Sequence, residues 1–274
     1  MDKMRQKINL NKLIGAVALA AVIALTQTGC LGSMRDTSAD PAAEDVGAFS
    51  KLSAEGDISF DYYLYTPEAD EAVPLVITFH GYGEDKNLPR NRTLDTLTSS
   101  ESQAIRPCYV LAPAVEDRIY LARSERDNMY SALMAIADDL VKRSSVDPSR
   151  IYAMGNSFGG LGTVEFTEKY PEDVAAAIVM CPALSYSQDS TSDLKLMKDV
   201  PVWFAQATND NVIPITISRS AVSTLEKLGA REVHLTEFTD EEMLSAGALV
   251  GYHQADFAVM ADESFMEWLF AQGR

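Results

Sequence analysis

Arg150-Ile151-Tyr152-Ala153-Met154-Gly155-Asn156-Ser157-Phe158-Gly159-Gly160-Leu161-Gly162 reads as a short apolar strand, a tight turn carrying a serine, and the start of a helix. Gly155, Ser157 and Gly159 fit the pattern G-x-S-x-G of a nucleophile elbow. A serine presented on a strained strand-to-helix turn leaves no room for side chains on either flank, and glycine has none. Ordinary glycine and serine usage would produce roughly 0.1 such matches by chance in a chain of this length. The context is also the one an elbow needs: the β-prone run Ile151–Met154 before it, and a helical pattern from Leu161 to Tyr170, closed by Pro171, after it.

Working outward, the unbroken apolar run Leu75–Phe79 is followed by similar runs at Cys108–Ala112, Ala175–Cys181, Val202–Ala205 and Val233–Phe238. Such runs mark strands covered on both faces. Ile58–Tyr65 alternates instead, and suits an antiparallel edge strand. Helical patterns fall between the strands at Asn128–Arg143, Leu161–Tyr170 and Ile217–Leu228, with a last helix expected over Phe257–Phe270. The alternation predicts a mostly parallel, doubly wound α/β sheet with helices on both faces and no second domain. Polar stretches at Glu116–Arg126 and Tyr186–Asp199, and an acidic-apolar insertion at Thr239–Tyr252, are too short for a large lid, so a fairly open cleft is expected at the strand ends.

A serine hydroxyl becomes a useful nucleophile only when a base takes its proton, and the base must be oriented by an acid. The chain has three histidines. The order Ser, acid, His excludes His80 as the base. His234 lies early in a strand, at the end opposite the elbow, and is expected to be structural. His253, in the loop before the last helix, is the expected base. Asp210 follows the strand Val202–Ala205 and stands beyond its carboxyl end, so it is the expected acid, although Asn209-Asp210-Asn211 would also suit a plain Asx turn. Asp240, Glu241 and Glu242 read as a solvated face.

An oxyanion hole needs preorganised donors, and backbone amides serve. The residue after the serine, Phe158, supplies one. The other is expected from His80-Gly81-Tyr82-Gly83-Glu84, directly after a buried strand, with Tyr82 as donor, Gly81 and Gly83 turning the amides inward, and His80 holding the loop by hydrogen bonds. The scattered histidines and cysteines form no metal-ligand cluster, and the chemistry calls for no metal and no organic cofactor.

At the N-terminus, Lys3, Arg5, Lys7 and Lys12 precede the uncharged run Leu13–Leu25, which is too short to span a bilayer and right for a signal segment. Thr28-Gly29-Cys30 then resembles a bacterial lipoprotein signal, which implies lipidation at Cys30; Gln27 stands where an aliphatic residue is usual, and an export signal with Cys30 unmodified is the alternative. The expected division is a signal peptide at 1–30, a flexible tether at 31–50 and a catalytic domain at 51–274. Loss of residues 1–30, with four basic and one acidic residue, would take the net charge from −17 to −20. Such a surface repels nucleic acid and anionic headgroups, so membrane attachment would rest on the lipid alone. Cys108 and Cys181 are expected to sit at opposite edges of the sheet and to remain unbridged.

Taken together, residues 58–272 resemble an α/β-hydrolase, and more narrowly the exported serine esterases grouped with polyhydroxybutyrate depolymerase, feruloyl and acetylxylan esterases and the predicted peptidases of that branch. The likeness rests on His80–Glu84, Asp147–Tyr152, Tyr170-Pro171, Pro182-Ala183 and Asp210–Pro214. It departs at Tyr252-His253, where relatives often carry Gly-His, and at Ala207-Thr208-Asn209, where many carry His-Gly. The resemblance implies cleavage of a small-molecule or polymer-linked ester through an acyl-enzyme. The alternatives are a peptidase or amidase, and a non-catalytic binding lipoprotein on the same scaffold.

Overall fold

The computed structural model describes residues 49–54, 56–84, 91–186, 193–248 and 252–274. The signal segment, Cys30, the tether up to residue 48 and Gly251 lie outside the described residues.

Eight strands form one sheet: β1 (Phe49–Ala54), β2 (Phe60–Tyr65), β3 (Val73–Phe79), β4 (Tyr109–Ala114), β5 (Val146–Asn156), β6 (Val174–Met180), β7 (Val202–Ala207) and β8 (Val233–Phe238). Their order is β1-β2-β4-β3-β5-β6-β7-β8. β1 and β2 are antiparallel to their neighbours, and the ladder from β4 through β8 is parallel. The run read as an edge strand is therefore the second strand, because Phe49–Ala54 pairs outside it, from Phe49 opposite Tyr65 to Ala54 opposite Phe60. The sheet thus begins at Phe49, two residues inside the stretch expected to be tether.

Among the described residues the α-helices are α1 (Arg92–Leu97), α2 (Ser100–Ile105), α3 (Asp117–Leu121), α4 (Arg123–Arg143), α5 (Phe158–Lys169), α6 (Thr216–Lys227), α7 (Asp240–Ser245), α8 (Ala255–Ala261) and α9 (Glu263–Ala271). The single helix expected over Phe257–Phe270 is two. Asp262 ends α8 in extended conformation, and its carboxylate accepts from the Ser264 amide to cap α9. The polar stretch Glu116–Arg126 is likewise helical, holding α3 and the first turn of α4.

Strand alternation sends successive side chains to opposite faces. On one face the Phe79 ring meets Tyr130 of α4 and Phe166 of α5, at centroid distances of 5.9 and 5.7 Å. On the other, Val76, Tyr152 and Ile178 join Leu94 of α1, Val259 of α8 and Leu269 of α9 in one buried cluster. β3 and β6 are buried along their whole length, as two covered faces require. Cys108 and Cys181 are free, buried thiols at β4 and β6, with β3 and β5 between those strands. Among the described residues no helix is long and apolar enough to cross a membrane.

A buried ion pair joins the helices on the first face. Arg126 donates to both Glu165 oxygens, at 2.7 and 3.0 Å, and to the Tyr120 carbonyl at 2.6 Å, and Tyr130 donates its hydroxyl to Glu165. Removing either partner would strand a buried charge, at a cost of about 3–5 kcal/mol. Glu168, one turn further along α5, is 4% exposed, and its carboxyl oxygens have no hydrogen-bond partner among the described residues. Burial, reinforced by Asp193 and Glu165 and only partly relieved by Arg123, pushes this carboxyl from 4.5 up to about 9. An acid whose folded value is raised is most compatible with folding below its unfolded value, and that advantage drains away as pH climbs toward the folded value. Glu168→Gln is accordingly expected to leave the unfolding midpoint near wild type at pH 4.5 and to stabilise the protein by at least ~1 kcal/mol at pH 8. Thermal melts across that range check this, and a constant difference between the two proteins would contradict it.

Candidate active site

β5 ends at Asn156, and the chain turns at Ser157 with φ 61° and ψ −117° before entering α5. A non-glycine residue in that region is strained by roughly 1–3 kcal/mol, and its surroundings must hold it there. They do: the Ser157 amide donates to the Met180 carbonyl at 3.0 Å, and the Ser157 carbonyl accepts from Leu161 and Ala183. The flanking glycines are required by close approach. A Cβ on Gly155 would stand 2.5 Å from the Gly159 carbonyl oxygen, and one on Gly159 would stand 1.9 Å from that of Phe79. Gly160, not singled out from the sequence, is constrained in the same way, 2.6 Å from the Met180 oxygen.

Ser157, His253 and Asp210 come together. His253 Nε2 lies 2.9 Å from Ser157 Oγ, and His253 Nδ1 lies 2.8 Å from Asp210 Oδ2. Asp210 forms an Asx turn as well as meeting the histidine. Its Oδ1 accepts from the Val212 and Ile213 amides at 2.9 Å each, while Oδ2 accepts from Gln206 Nε2 at 3.0 Å. The carboxylate therefore has donors at both oxygens. With Asp210 as acceptor, His253 carries its proton on Nδ1 and turns a lone pair on Nε2 toward the serine. Gln206, which also donates to the Ile213 carbonyl and accepts from Ser218, was not legible as a site residue.

Burial disfavours the imidazolium of His253, but Cys181 and Asp210 beside it raise the ring's pKa well above 6.5 overall. Burial also pushes the Cys181 thiol upward and keeps it neutral, so Asp210 is the partner whose charge holds the proton. A base raised in this way is protonated in mild acid and inactive there. For any turned-over substrate, kcat/KM is expected to climb with pH through an inflection above 6.5; a plateau already reached at pH 6 would contradict the assignment.

Cys181, in a strained conformation with φ 32°, places Sγ 2.9 Å from Asn156 Oδ1 and 3.1 Å from the His253 carbonyl. Cys181, Asp210 and His253 offer ligand atoms within 4.8 Å of one another. The Asp210 oxygens are already filled by four donors and His253 Nδ1 by a proton, so the arrangement suits proton transfer better than metal ligation.

In the His80–Glu84 turn, His80 Nε2 accepts from the Val115 amide at 2.8 Å, which places the ring proton on Nδ1, 2.6 Å from the Gly81 carbonyl. The His80 carbonyl accepts from the Tyr120 hydroxyl at 2.6 Å. The Gly81 amide is committed to Glu84 and the Gly83 amide, at φ 78°, to Asp117. Neither is therefore the donor to an oxyanion. Tyr82 and Phe158, the expected donors, lie with their rings 5.5 Å apart, and Tyr120 stacks on Phe158 at 5.6 Å. His234 is remote from this group: it pairs with Trp203 in the sheet, stacks on its ring and bonds Glu232. Of the acidic run after β8, Glu242 closes a capping box on α7 with Thr239, and Asp240 accepts from Asn209.

The sheet order, the elbow and the placement of serine, acid and base at strand ends define the α/β-hydrolase fold, and together with the comparisons they support a serine hydrolase. Residues 119–196 match the prolyl oligopeptidase family. A thermostable esterase of known structure is 28% identical, with a TM-score of 0.70 over 82% of this chain and 63% of its own. An acylaminoacyl peptidase from Pyrococcus horikoshii superposes with a TM-score of 0.61 at 14% identity, covering 84% of this chain and 42% of its own. The quorum-quenching protein AidA of Acinetobacter baumannii (strain MDR-ZJ06) is 29% identical over 157 residues, 52% of this chain and 47% of the relative. The chain thus spans less than two thirds of the esterase and about half of AidA.

Proposed function

We propose that the protein is an exported serine esterase, anchored to a bacterial membrane on the extracytoplasmic side through a lipid on Cys30, that cleaves small-molecule or polymer-linked carboxylic esters. The observation that supports this most directly is the continuous chain from Ser157 Oγ through His253 to Asp210, at 2.9 and 2.8 Å. Ser157 Oγ attacks the ester carbonyl as its proton passes to His253 Nε2, and the new imidazolium is stabilised by Asp210. The tetrahedral oxyanion is held by the Tyr82 and Phe158 amides. Collapse expels the alcohol, which takes the proton from His253, and water then repeats the sequence on the acyl-enzyme.

A peptidase reading is favoured by the prolyl oligopeptidase match at residues 119–196. Amides have poorer leaving groups and demand closer positioning. The two readings are separated by offering the protein p-nitrophenyl esters from acetyl to palmitoyl and N-acyl amino-acid p-nitroanilides. Ester turnover at least ~10³-fold above anilide turnover is expected. Comparable or greater anilide turnover would replace the ester reading by the peptidase one. Globomycin treatment of expressing cells, which blocks lipoprotein signal cleavage, should make the unprocessed precursor accumulate if Cys30 is lipidated.

A further inference from the structure

The geometry points to Glu84 as the positioning residue of the oxyanion loop, a carboxylate that presets the His80–Glu84 turn for transition-state binding. This rests on the serine-hydrolase reading of the site. Glu84 Oε2 accepts from the Gly81 amide at 3.1 Å and from Asn91 Nδ2 at 2.8 Å, while the Glu84 amide closes the turn on the Gly81 carbonyl at 3.4 Å. The approach is close: a Cβ on Gly81 would stand 3.3 Å from Glu84 Oε1, so a side chain there would press on the carboxylate. Asn91 is itself fixed, since its Oδ1 caps α1 by accepting from the Thr93 amide at 2.9 Å. The carboxylate thus ties a turn containing two glycines to the start of a helix.

Three other anchors hold the turn from different sides: Val115 on His80 Nε2, Tyr120 on the His80 carbonyl, and Asp117 on the Gly83 amide. Tyr120 and Glu84 hold the peptide between His80 and Gly81 from its two ends, the hydroxyl at the His80 carbonyl and the carboxylate at the Gly81 amide. The following peptide, which carries the Tyr82 amide, is held at the Gly81 carbonyl by His80 Nδ1 and by the Glu84 amide, and Glu84 adds its carboxylate on the Gly81 amide just before it, so this one residue braces both peptides around Gly81. Glycine-flanked peptides flip readily when unheld, and an oxyanion donor is useful only if its orientation is set before charge develops. Asp256, buried at the start of α8, shares this corner; burial and the Glu84 charge push its carboxyl from 3.8 up to about 7.

An interaction of this kind acts on the transition state more than on bound substrate. With the full chain, Glu84→Ala is expected to lower kcat by about 10- to 100-fold while KM moves less than about threefold, and to weaken phenylboronic acid, whose tetrahedral adduct on Ser157 places an oxygen in the oxyanion hole, by the same factor as kcat/KM. Glu84→Gln retains an acceptor for the Gly81 amide and should recover most of both losses. Asn91→Ala, which leaves the turn itself intact, should shift both quantities in the same direction by a smaller factor and serves where Glu84→Ala does not fold. A folded Glu84→Ala with unchanged kcat and boronate affinity would overturn the inference, as would a loss confined to KM or Glu84→Gln as impaired as the alanine variant. Boronate binding requires no ester turnover. A wild type inert toward esters therefore counts against the ester reading alone, and the boronate series still decides the role of Glu84.

Discussion

Ser157→Ala is expected to reduce hydrolysis of every substrate the wild type accepts by a factor of about 10⁴ or more, with the fold and the thermal midpoint nearly unchanged. The size follows from the chemistry: without Oγ no acyl-enzyme forms, and what survives is whatever the oxyanion donors and the pocket do for direct attack by water. The small structural cost follows from the backbone. The strained φ of 61° is imposed by the hydrogen bonds of the Ser157 amide and carbonyl, none of which uses the hydroxyl. Alanine sits in the same strained turn as serine and loses one 2.9 Å bond to His253. Ser157→Gly, which tolerates positive φ, should be equally inactive and slightly more stable. Burst kinetics with a p-nitrophenyl ester, and labelling by a fluorophosphonate, are the measurements. A Ser157→Ala protein that still releases p-nitrophenol at more than about a hundredth of the wild-type rate would remove Ser157 from the mechanism.

That serine was legible because its surroundings are severe. A carbonyl 1.9 Å from where a side chain would start leaves glycine as the only choice at 159, and such constraints write themselves into the sequence as a short local pattern. The parallel strands were legible for a related reason: burial on both faces admits only apolar residues, and β3 and β6 contain little else. β1 carries no such signature. Ser50, Leu52 and Ser53 are exposed, and what makes Phe49–Ala54 a strand is the register with β2, a long-range fact. The short helices α1 and α2 were missed because six residues show too little periodicity, although their caps, Asn91 and Ser99, were present as signals. At Asp262 the apolar spacing of Phe257, Met260 and Phe265 ran on through a capping residue and concealed the break between α8 and α9.

The site divides in the same way. Asp210 and His253 could be found by chain order and by their positions after strands, since topology carries those to one edge. Glu84 stood in a quoted motif without a role, because its value lies in reaching back to the Gly81 amide and across to Asn91, which no spacing rule describes. Gln206 falls just past the strand expected at Val202–Ala205 and carried no assignment, and its contact with Asp210 depends on the turn that Asp210 itself makes. Residues that react are constrained by chemistry to a few types; residues that hold them in place are constrained only by geometry.

Asp210→Asn isolates what the acid does, and it is expected to lower kcat by about 10⁴ while altering KM little. Each Asp210 oxygen now faces two donors: the Val212 and Ile213 amides at Oδ1, and Gln206 Nε2 with His253 Nδ1 at Oδ2. An asparagine has one acceptor end and one donor end. Keeping the Asx turn puts its oxygen toward the two amides and its NH₂ toward His253, where it can only donate. His253 must then accept at Nδ1 and carry its proton on Nε2, facing Ser157 with a hydrogen in place of a lone pair. The base is present, correctly placed and in the wrong tautomer. Turning the amide over would restore His253 at the expense of the turn, setting an NH₂ against two buried backbone amides, a cost of about 1–3 kcal/mol. Either arrangement also removes the negative charge that raises the imidazole, so the residual activity should show its acid limb at lower pH than the wild type. The checks are the pH profile of kcat/KM and the low-field proton resonance of His253 Nδ1–H, which should disappear in the variant. Asp210→Asn with near-native kcat and that resonance retained would mean that another carboxylate orients His253.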